Sequence, residues 1–295
     1  MTRILPVALV QAEQLVGSFD AYAREVADLT ARMAPRPLIV HPEVHLFGRH
    51  GDLSMEALRD IAQPLDGSMV RDLAQLAGDL NCWLVPGSIV EPAPDGGVYN
   101  TTVVLSPQGR LVAHYRKMFP WRPSEPYTPG TEFSVFDIPG VGRFGIAICY
   151  DIWFPEVCRQ LAWMGAEVII NPVRTTTPDR AQELVLVRAN AIANQVFMLS
   201  VNAAGPVAYG QSLVVDPDGD VLAHAAHDRP EVMMLDIDLD RVTAIRRDGT
   251  AGINRMWSQF RSGDRQIPLP LYDGRIDPAH WNPDTAPLAQ QKEPA

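Results

Sequence analysis

The chain has 295 residues, 46% of them hydrophobic, and a formal net charge of −10. That length supports one domain with a substantial core, and an acidic chain without a basic stripe does not suit nucleic-acid binding. No apolar stretch is long enough for a membrane span, and three cysteines, Cys82, Cys149 and Cys158, give no disulfide framework, so a cytoplasmic protein is predicted.

Residues 4–11 read as a strand that begins directly after Met1-Thr2-Arg3, with no segment of signal-peptide length before it. Phe19, Tyr22, Val26, Leu29 and Met33 then recur at helical spacing, and a buried strand follows over 38–40. This strand runs into His41-Pro42-Glu43-Val44-His45-Leu46-Phe47-Gly48. Glu43 leaves it among proline and apolar neighbours, which predicts a carboxylate entering a pocket rather than a solvated face. His41 and His45 flank it but lack a third metal partner in the sequence, so they are read as packing or hydrogen-bonding residues and no metal is expected.

Val70, Leu73, Ala77 and Leu80 mark a second helix before a strand at 82–85. Strands at 100–105 and 111–115 flank Pro107-Gln108-Gly109, a hairpin signal. Lys117 comes next, followed by Met118-Phe119-Pro120-Trp121, apolar neighbours predicted to desolvate the amine and lower its pKa. Glu125 lies in the loop Pro123-Ser124-Glu125-Pro126-Tyr127-Thr128-Pro129-Gly130, which its prolines stiffen.

The apolar run Phe144-Gly145-Ile146-Ala147-Ile148-Cys149 reads as a buried strand, and Pro155 suits the first turn of a helix over 155–165. A cysteine at this junction lies near free backbone N–H groups, a setting that favours a thiolate and binds a developing oxyanion. Cys158, within the helix, is read as packing. Tyr150 and Trp153 would wall a pocket, and Asp151 would brace the turn or cap the helix rather than join the chemistry. A strand at 168–170 leads to Arg174, placed to reach the pocket rim or to pair with a surface acid. Strands at 211–215 and 221–223 flank Asp216-Pro217-Asp218-Gly219, a further hairpin signal.

After Asp240 the chain becomes rich in proline and aromatic residues, among them Trp257, Phe260, Pro268, Tyr272 and Trp281. The predicted organisation is a domain over 1–240, an extension over 241–283 that packs on the domain or on a partner subunit, and a disordered tail over 284–295.

The segments of Glu43, Lys117 and Cys149 resemble, in order and spacing, the three signature blocks of the nitrilase (carbon–nitrogen hydrolase) superfamily. Pro86-Gly87-Ser88, Tyr99-Asn100-Thr101 and Gly210-Gln211-Ser212 add to the likeness, which runs from about Val7 to about Asp240. The resemblance implies an α/β fold, the four-layer α-β-β-α sandwich of that superfamily. It implies Cys149 as nucleophile, Glu43 as general base and acid, and Lys117 as oxyanion donor, with Glu125 positioning the substrate as in the amidase branches. The substrate-binding residues would be Tyr150, Trp153 and Arg174, with no metal and no cofactor.

The implied reaction is hydrolysis of a small amide to a carboxylic acid and ammonia through a thioester. Hydrolysis of an N-carbamoyl amine is the alternative enzyme reading, and a non-catalytic binding or regulatory protein is the alternative from another class. Ile152 and Trp153 stand where N-carbamoyl-D-amino-acid hydrolases carry arginines, and Tyr150-Asp151 departs from the Trp-Glu of nitrile-cleaving members. The expected partners are a small-molecule amide, water and a second copy of the chain, in a homodimer or larger homo-oligomer.

Overall fold

The computed structural model of the protein describes residues 2–15, 18–46, 54–259, 261–265, 267 and 274. Residues 1–255 form one compact unit, and a second unit comprises residues 256–295, in which the described part includes the single 3₁₀ turn Met256–Ser258. The disordered tail predicted at 284–295 lies outside the described residues, as do residues 260, 266, 268–273 and 275–283 of the predicted extension.

The first unit holds strands β1 (Ile4–Gln11), β2 (Leu38–Val40), β3 (Trp83–Val85), β4 (Ser88–Pro92), β5 (Val98–Leu105), β6 (Leu111–Arg116) and β7 (Val135–Ile138). It continues with β8 (Gly142–Ile146), β9 (Val168–Val173), β10 (Phe197–Asn202), β11 (Leu213–Val215), β12 (Val221–His224) and β13 (Glu231–Asp238). One sheet runs in the order β13-β1-β2-β3-β5-β4, with β6 also paired to β5. The other runs β12-β11-β10-β9-β8-β7. In each sheet three adjacent strands are parallel, β1-β2-β3 and β8-β9-β10. Most of these strands are buried on both faces, which is why β2, β9 and β10 carry no solvent-facing alternation.

The two-residue period of β1 assigns the layers. Leu5, Val7 and Leu9 join Phe144, Ile146, Val168 and Ile170 in the core between the sheets. Ala8 and Val10 point the other way, onto Tyr22, Val26 and Leu29 of α1 (Phe19–Ala31) and onto Leu73 and Ala77 of α3 (Ser68–Asp79). The short helix α2 (Met55–Ile61) adds Leu58 to this outer cluster. Helices α4 (Pro155–Trp163) and α5 (Arg180–Asn194) belong to the second sheet, completing an α-β-β-α sandwich. Helix α6 (Asp240–Asp248) closes the unit and has no counterpart among the predicted elements. Among the described residues, no helix is long and apolar enough to cross a membrane.

Parallel strands of both sheets end at one edge, where backbone groups beyond the sheet are available to a ligand. Glu43 follows β2, Cys149 follows β8 and Arg174 follows β9. Two glycines make the close approaches at this edge. Gly87, at φ +88°, passes so near Pro42 that a Cβ would lie 1.8 Å from the Pro42 carbonyl oxygen. A Cβ on Gly130 would lie 2.2 Å from the carbonyl oxygen of Arg116, and the Gly130 N–H donates to the Lys117 carbonyl at 2.8 Å.

Candidate active site

The predicted strand over 144–149 ends earlier, at Ile146, and Cys149 opens the 3₁₀ turn Cys149–Trp153. Its φ is +46°, a left-handed conformation that costs a non-glycine residue about 1–3 kcal/mol and persists only where neighbours impose it. Asp151 supplies that restraint. Its Oδ2 accepts from the Ile148 N–H and the Tyr115 hydroxyl, both at 2.8 Å, and its Oδ1 accepts from the Phe119 N–H at 3.0 Å. One buried carboxylate thus ties the turn to β6 and to the loop after Lys117. Burial pushes its pKa up to about 6, against the hydrogen bonds that favour the charge. This is the bracing role expected of Asp151.

The turn bearing Glu43 is equally constrained. The Glu43 N–H donates to the Val173 carbonyl at 3.3 Å, joining the ends of β2 and β9 across the two sheets. Val44 has φ +46°, and its N–H donates to the Ser88 hydroxyl at 2.9 Å. The Lys117 N–H donates to the Asn100 carbonyl at 2.8 Å, which fixes the lysine at the end of β6.

Glu43, Lys117 and Glu125 meet in one ion cluster. Lys117 Nζ donates to Glu43 Oε1 at 2.9 Å and to Glu125 Oε2 at 2.8 Å and Oε1 at 3.0 Å. The Trp121 N–H also donates to Glu125 Oε2, at 2.9 Å. Asn100 Nδ2 donates to Glu43 Oε1 at 2.7 Å. The other oxygen, Glu43 Oε2, is buried and has no hydrogen-bond partner. Lys117 and Glu43 are almost wholly buried, and Cys149 keeps 8% of its surface exposed, enough to be reached at one point.

Two electrostatic expectations are corrected. Lys117 was predicted to have a lowered pKa. Burial does act in that direction, but Glu43 and Glu125 outweigh it, and the ammonium is held well above its ordinary value. Cys149 was predicted to favour the thiolate. Burial first, and then the charges of Glu43, Glu183 and Glu125, push its thiol well up, with Lys117 the opposing influence. The Cys149 side chain is therefore held as a thiol. Burial also raises Glu43, and Glu125 adds to the shift while Lys117 and Asn100 oppose it. Burial raises Cys82 to about 11 and Cys158 to about 12, as suits packing residues.

The aromatic residues after the nucleophile lie together. The Tyr150 ring meets Trp153 at 5.9 Å and Phe154 edge-on at 5.3 Å, and Phe154 stacks on Phe119 at 3.7 Å. Arg174 lines a small cavity of about 10 Å³ with Gln14 and residues 203–208, room for one water. Its Nε is buried without a partner, and its charge acts on the buried hydroxyl of Tyr127. Tyr127, in turn, is subject to Glu125, Glu43 and Lys117.

Several residues of the site had no assigned role in the sequence. Asn100 is a partner of Glu43, although its motif was recognised. Glu183 and Arg180, from α5, form a buried ion pair at 3.0 Å. Glu183 Oε2 also accepts from the Thr175 hydroxyl, and its Oε1 is 3.5 Å from Trp153 Nε1. Arg180 Nε and Nη2 donate to the carbonyls of Gly210 and Gln211, within the Gly210-Gln211-Ser212 motif.

The carbon–nitrogen hydrolase family model matches residues 6–247. A formamidase of Bradyrhizobium sp. (strain ORS 278) is 32% identical over 82% of this chain and 72% of its own length. An (R)-stereoselective amidase of a Pseudomonas species is 36% identical over 72% of this chain and 76% of its own. Among solved structures, Saccharomyces cerevisiae Nit3, a member of branch 10 of the nitrilase superfamily, superposes with a TM-score of 0.71. It is 28% identical, covering 83% of this chain and 94% of that one.

Proposed function

The chain belongs to the carbon–nitrogen hydrolase family, and from that premise we propose that it hydrolyses a small amide to a carboxylic acid and ammonia through a thioester on Cys149. The observation that carries this reading is the state of Glu43. One of its oxygens is held by Lys117 and Asn100 and the other is buried with no partner, in the same site as a protonated thiol. That is the disposition of a general base.

Cys149 Sγ attacks the amide carbonyl carbon while its proton passes to Glu43 Oε2. Lys117 Nζ, which donates to Glu43 Oε1 and to both oxygens of Glu125, turns one of its three N–H groups from Glu125 to the tetrahedral oxyanion. One such donor is worth about 3 kcal/mol of barrier. Glu43 then returns the proton to the nitrogen, the C–N bond breaks and ammonia leaves. Water adds to the thioester, again giving a proton to Glu43, and the acid departs as the thiol is restored. Glu125 acts by holding Lys117 and the loop at Trp121. The aromatic wall of Tyr150, Trp153, Phe119 and Phe154 and the restricted access to Cys149 suit a small acyl group, and Arg174 borders the site. The formamidase and amidase names of the relatives support this substrate class.

Ammonia release from formamide, acetamide and propionamide, followed with intact-mass spectrometry, tests the reading. Cys149→Ala should abolish turnover without unfolding the protein, and a trapped acyl adduct should map to Cys149. Full activity in that variant would sink the assignment.

Self-association belongs to the same proposal. Trp163 of α4 and Val185 and Ile192 of α5 are 74%, 66% and 49% exposed on neighbouring helices, an apolar surface suited to a second copy. Segment 253–281, predicted to join that contact, lies largely outside the described residues. A dimer in light scattering, shifted toward monomer by Val185→Asp, is expected; a monomeric parent at micromolar concentration contradicts it.

A further inference from the structure

The turn that carries Glu43 also carries two histidines whose rings the mechanism does not use. His41 and His45 are fully buried, and their rings stack with centroids 4.9 Å apart. His41 Nε2 and both ring nitrogens of His45 have no hydrogen-bond partner. A buried polar group left unpaired costs about 1–3 kcal/mol, so three such atoms on two adjoining rings require a physical reason. The residue that supplies one is distant in sequence. Glu25 of α1 places a carboxylate oxygen beside the rings, and one ligand atom from each of Glu25, His41 and His45 lies within 4.8 Å of the others.

We propose that Glu25, His41 and His45 form a binding site for a divalent transition metal, with Zn²⁺ the ion best matched to two imidazoles and a carboxylate. Tetrahedral ligands about 2.0–2.1 Å from zinc are roughly 3.4 Å apart. Glu25, partly exposed, has the side-chain freedom to close the remaining distance.

The surroundings agree. His41 Nδ1 lies 3.2 Å from the Tyr22 hydroxyl, and an Nδ1–H donated to that oxygen leaves the Nε2 lone pair for the metal. The Tyr22 ring packs against His41 at 4.7 Å and His45 at 6.0 Å, fixing both ring planes. Glu43 stands between the two histidines in sequence. A bound ion would pin the turn carrying the proposed base to helix α1, and so act on catalysis by position alone.

The test is metal binding by chelator-treated full-length protein carrying Cys149→Ala, which removes the most accessible thiol as a competing ligand. Calorimetric titration with Zn²⁺ should give one equivalent bound. Titration with Co²⁺ should give the visible bands of a low-coordinate site without thiolate charge transfer. Glu25→Gln and His45→Asn should each weaken Zn²⁺ binding at least tenfold, an effect of the size that perturbing a metal's ligand sphere produces. Glu25→Gln, at a partly exposed helix position, remains decisive if the buried His45 variant fails to fold. Less than a tenth of an equivalent bound by the parent, meaning that the nitrogens meet only water, would overturn the proposal. Undiminished affinity in Glu25→Gln would overturn it as well.

Discussion

Glu43 and Glu183 are both buried carboxylates that act electrostatically on the Cys149 sulfur, yet their oxygens are occupied differently. Glu183 is saturated: Oε2 takes the Thr175 hydroxyl and Arg180, and Oε1 faces the Trp153 indole N–H. Its partner Arg180 is held in turn by the carbonyls of Gly210 and Gln211. Glu43 instead has one oxygen held by two donors and the other left open. A carboxylate with both oxygens engaged holds elements together and takes a proton only at the cost of a contact. A carboxylate held on one side and open on the other can take a proton without losing its orientation. Burial alone therefore does not separate a structural acid from a reactive one, and the free lone pair does.

The comparison predicts opposite consequences for one chemical change. Glu43→Gln keeps the shape and removes the base, so turnover should fall ~10²–10⁴-fold, while Glu125 still pairs the buried Lys117 and limits the loss of folding stability. Stopped-turnover ammonia assays and urea melts check both halves. Glu183→Gln removes the charge partner of a buried arginine, and breaking such a pair costs about 3 kcal/mol of stability. The change should appear as an earlier urea midpoint with the acylation rate of the folded fraction kept within about tenfold. If Glu183→Gln slows acylation as much as Glu43→Gln while the urea midpoint stays put, the distinction between the two acids fails.

The smallest effect expected is a shift in pH dependence. Glu43 must be ionised to act, and its pKa is raised, so the acid limb of kcat/KM should lie above the ~4.3 of an unperturbed glutamate. Glu125 contributes to that rise through its negative charge. Glu125→Gln should therefore move the acid limb to lower pH, in addition to any loss from a less well held Lys117. A limb that stays in place, or moves up, would remove Glu125 from the electrostatics of the base.

The strand ends were legible because buried parallel strands write themselves as unbroken apolar runs, and the chemistry follows each run at once. Glu43 and Cys149 could be placed on that ground, whereas Lys117 follows β6, a half-exposed strand paired antiparallel with β5, and the structure brings its amine onto Glu43. What the sequence hid is whatever depends on partners far along the chain. Lys117 looks desolvated beside Met118 and Phe119, but the carboxylates that reverse the shift arrive from Glu43, 74 residues away, and from the loop at Glu125. Helix α5 carried no clear apolar stripe because Arg180, Glu183, Asn190 and Asn194 are among its buried residues. The periodicity that reveals α1 is absent from it, and the acid against which Glu43 is best judged was hidden with it. Glu25 escaped notice for the same reason, since nothing near it in the chain points to His41 and His45.

The central claim is that Glu43, and not the acidic surroundings in general, activates Cys149. The rate at which iodoacetamide alkylates Cys149 at neutral pH measures this without any assumption about the substrate. Peptide mapping separates Cys149 from Cys82 and Cys158. The account predicts that Glu43→Gln slows the reaction at Cys149 by at least ~10², within the usual range for loss of a general base, whereas Glu183→Gln leaves it near the parent rate. Equal rates in the parent and in Glu43→Gln would contradict it.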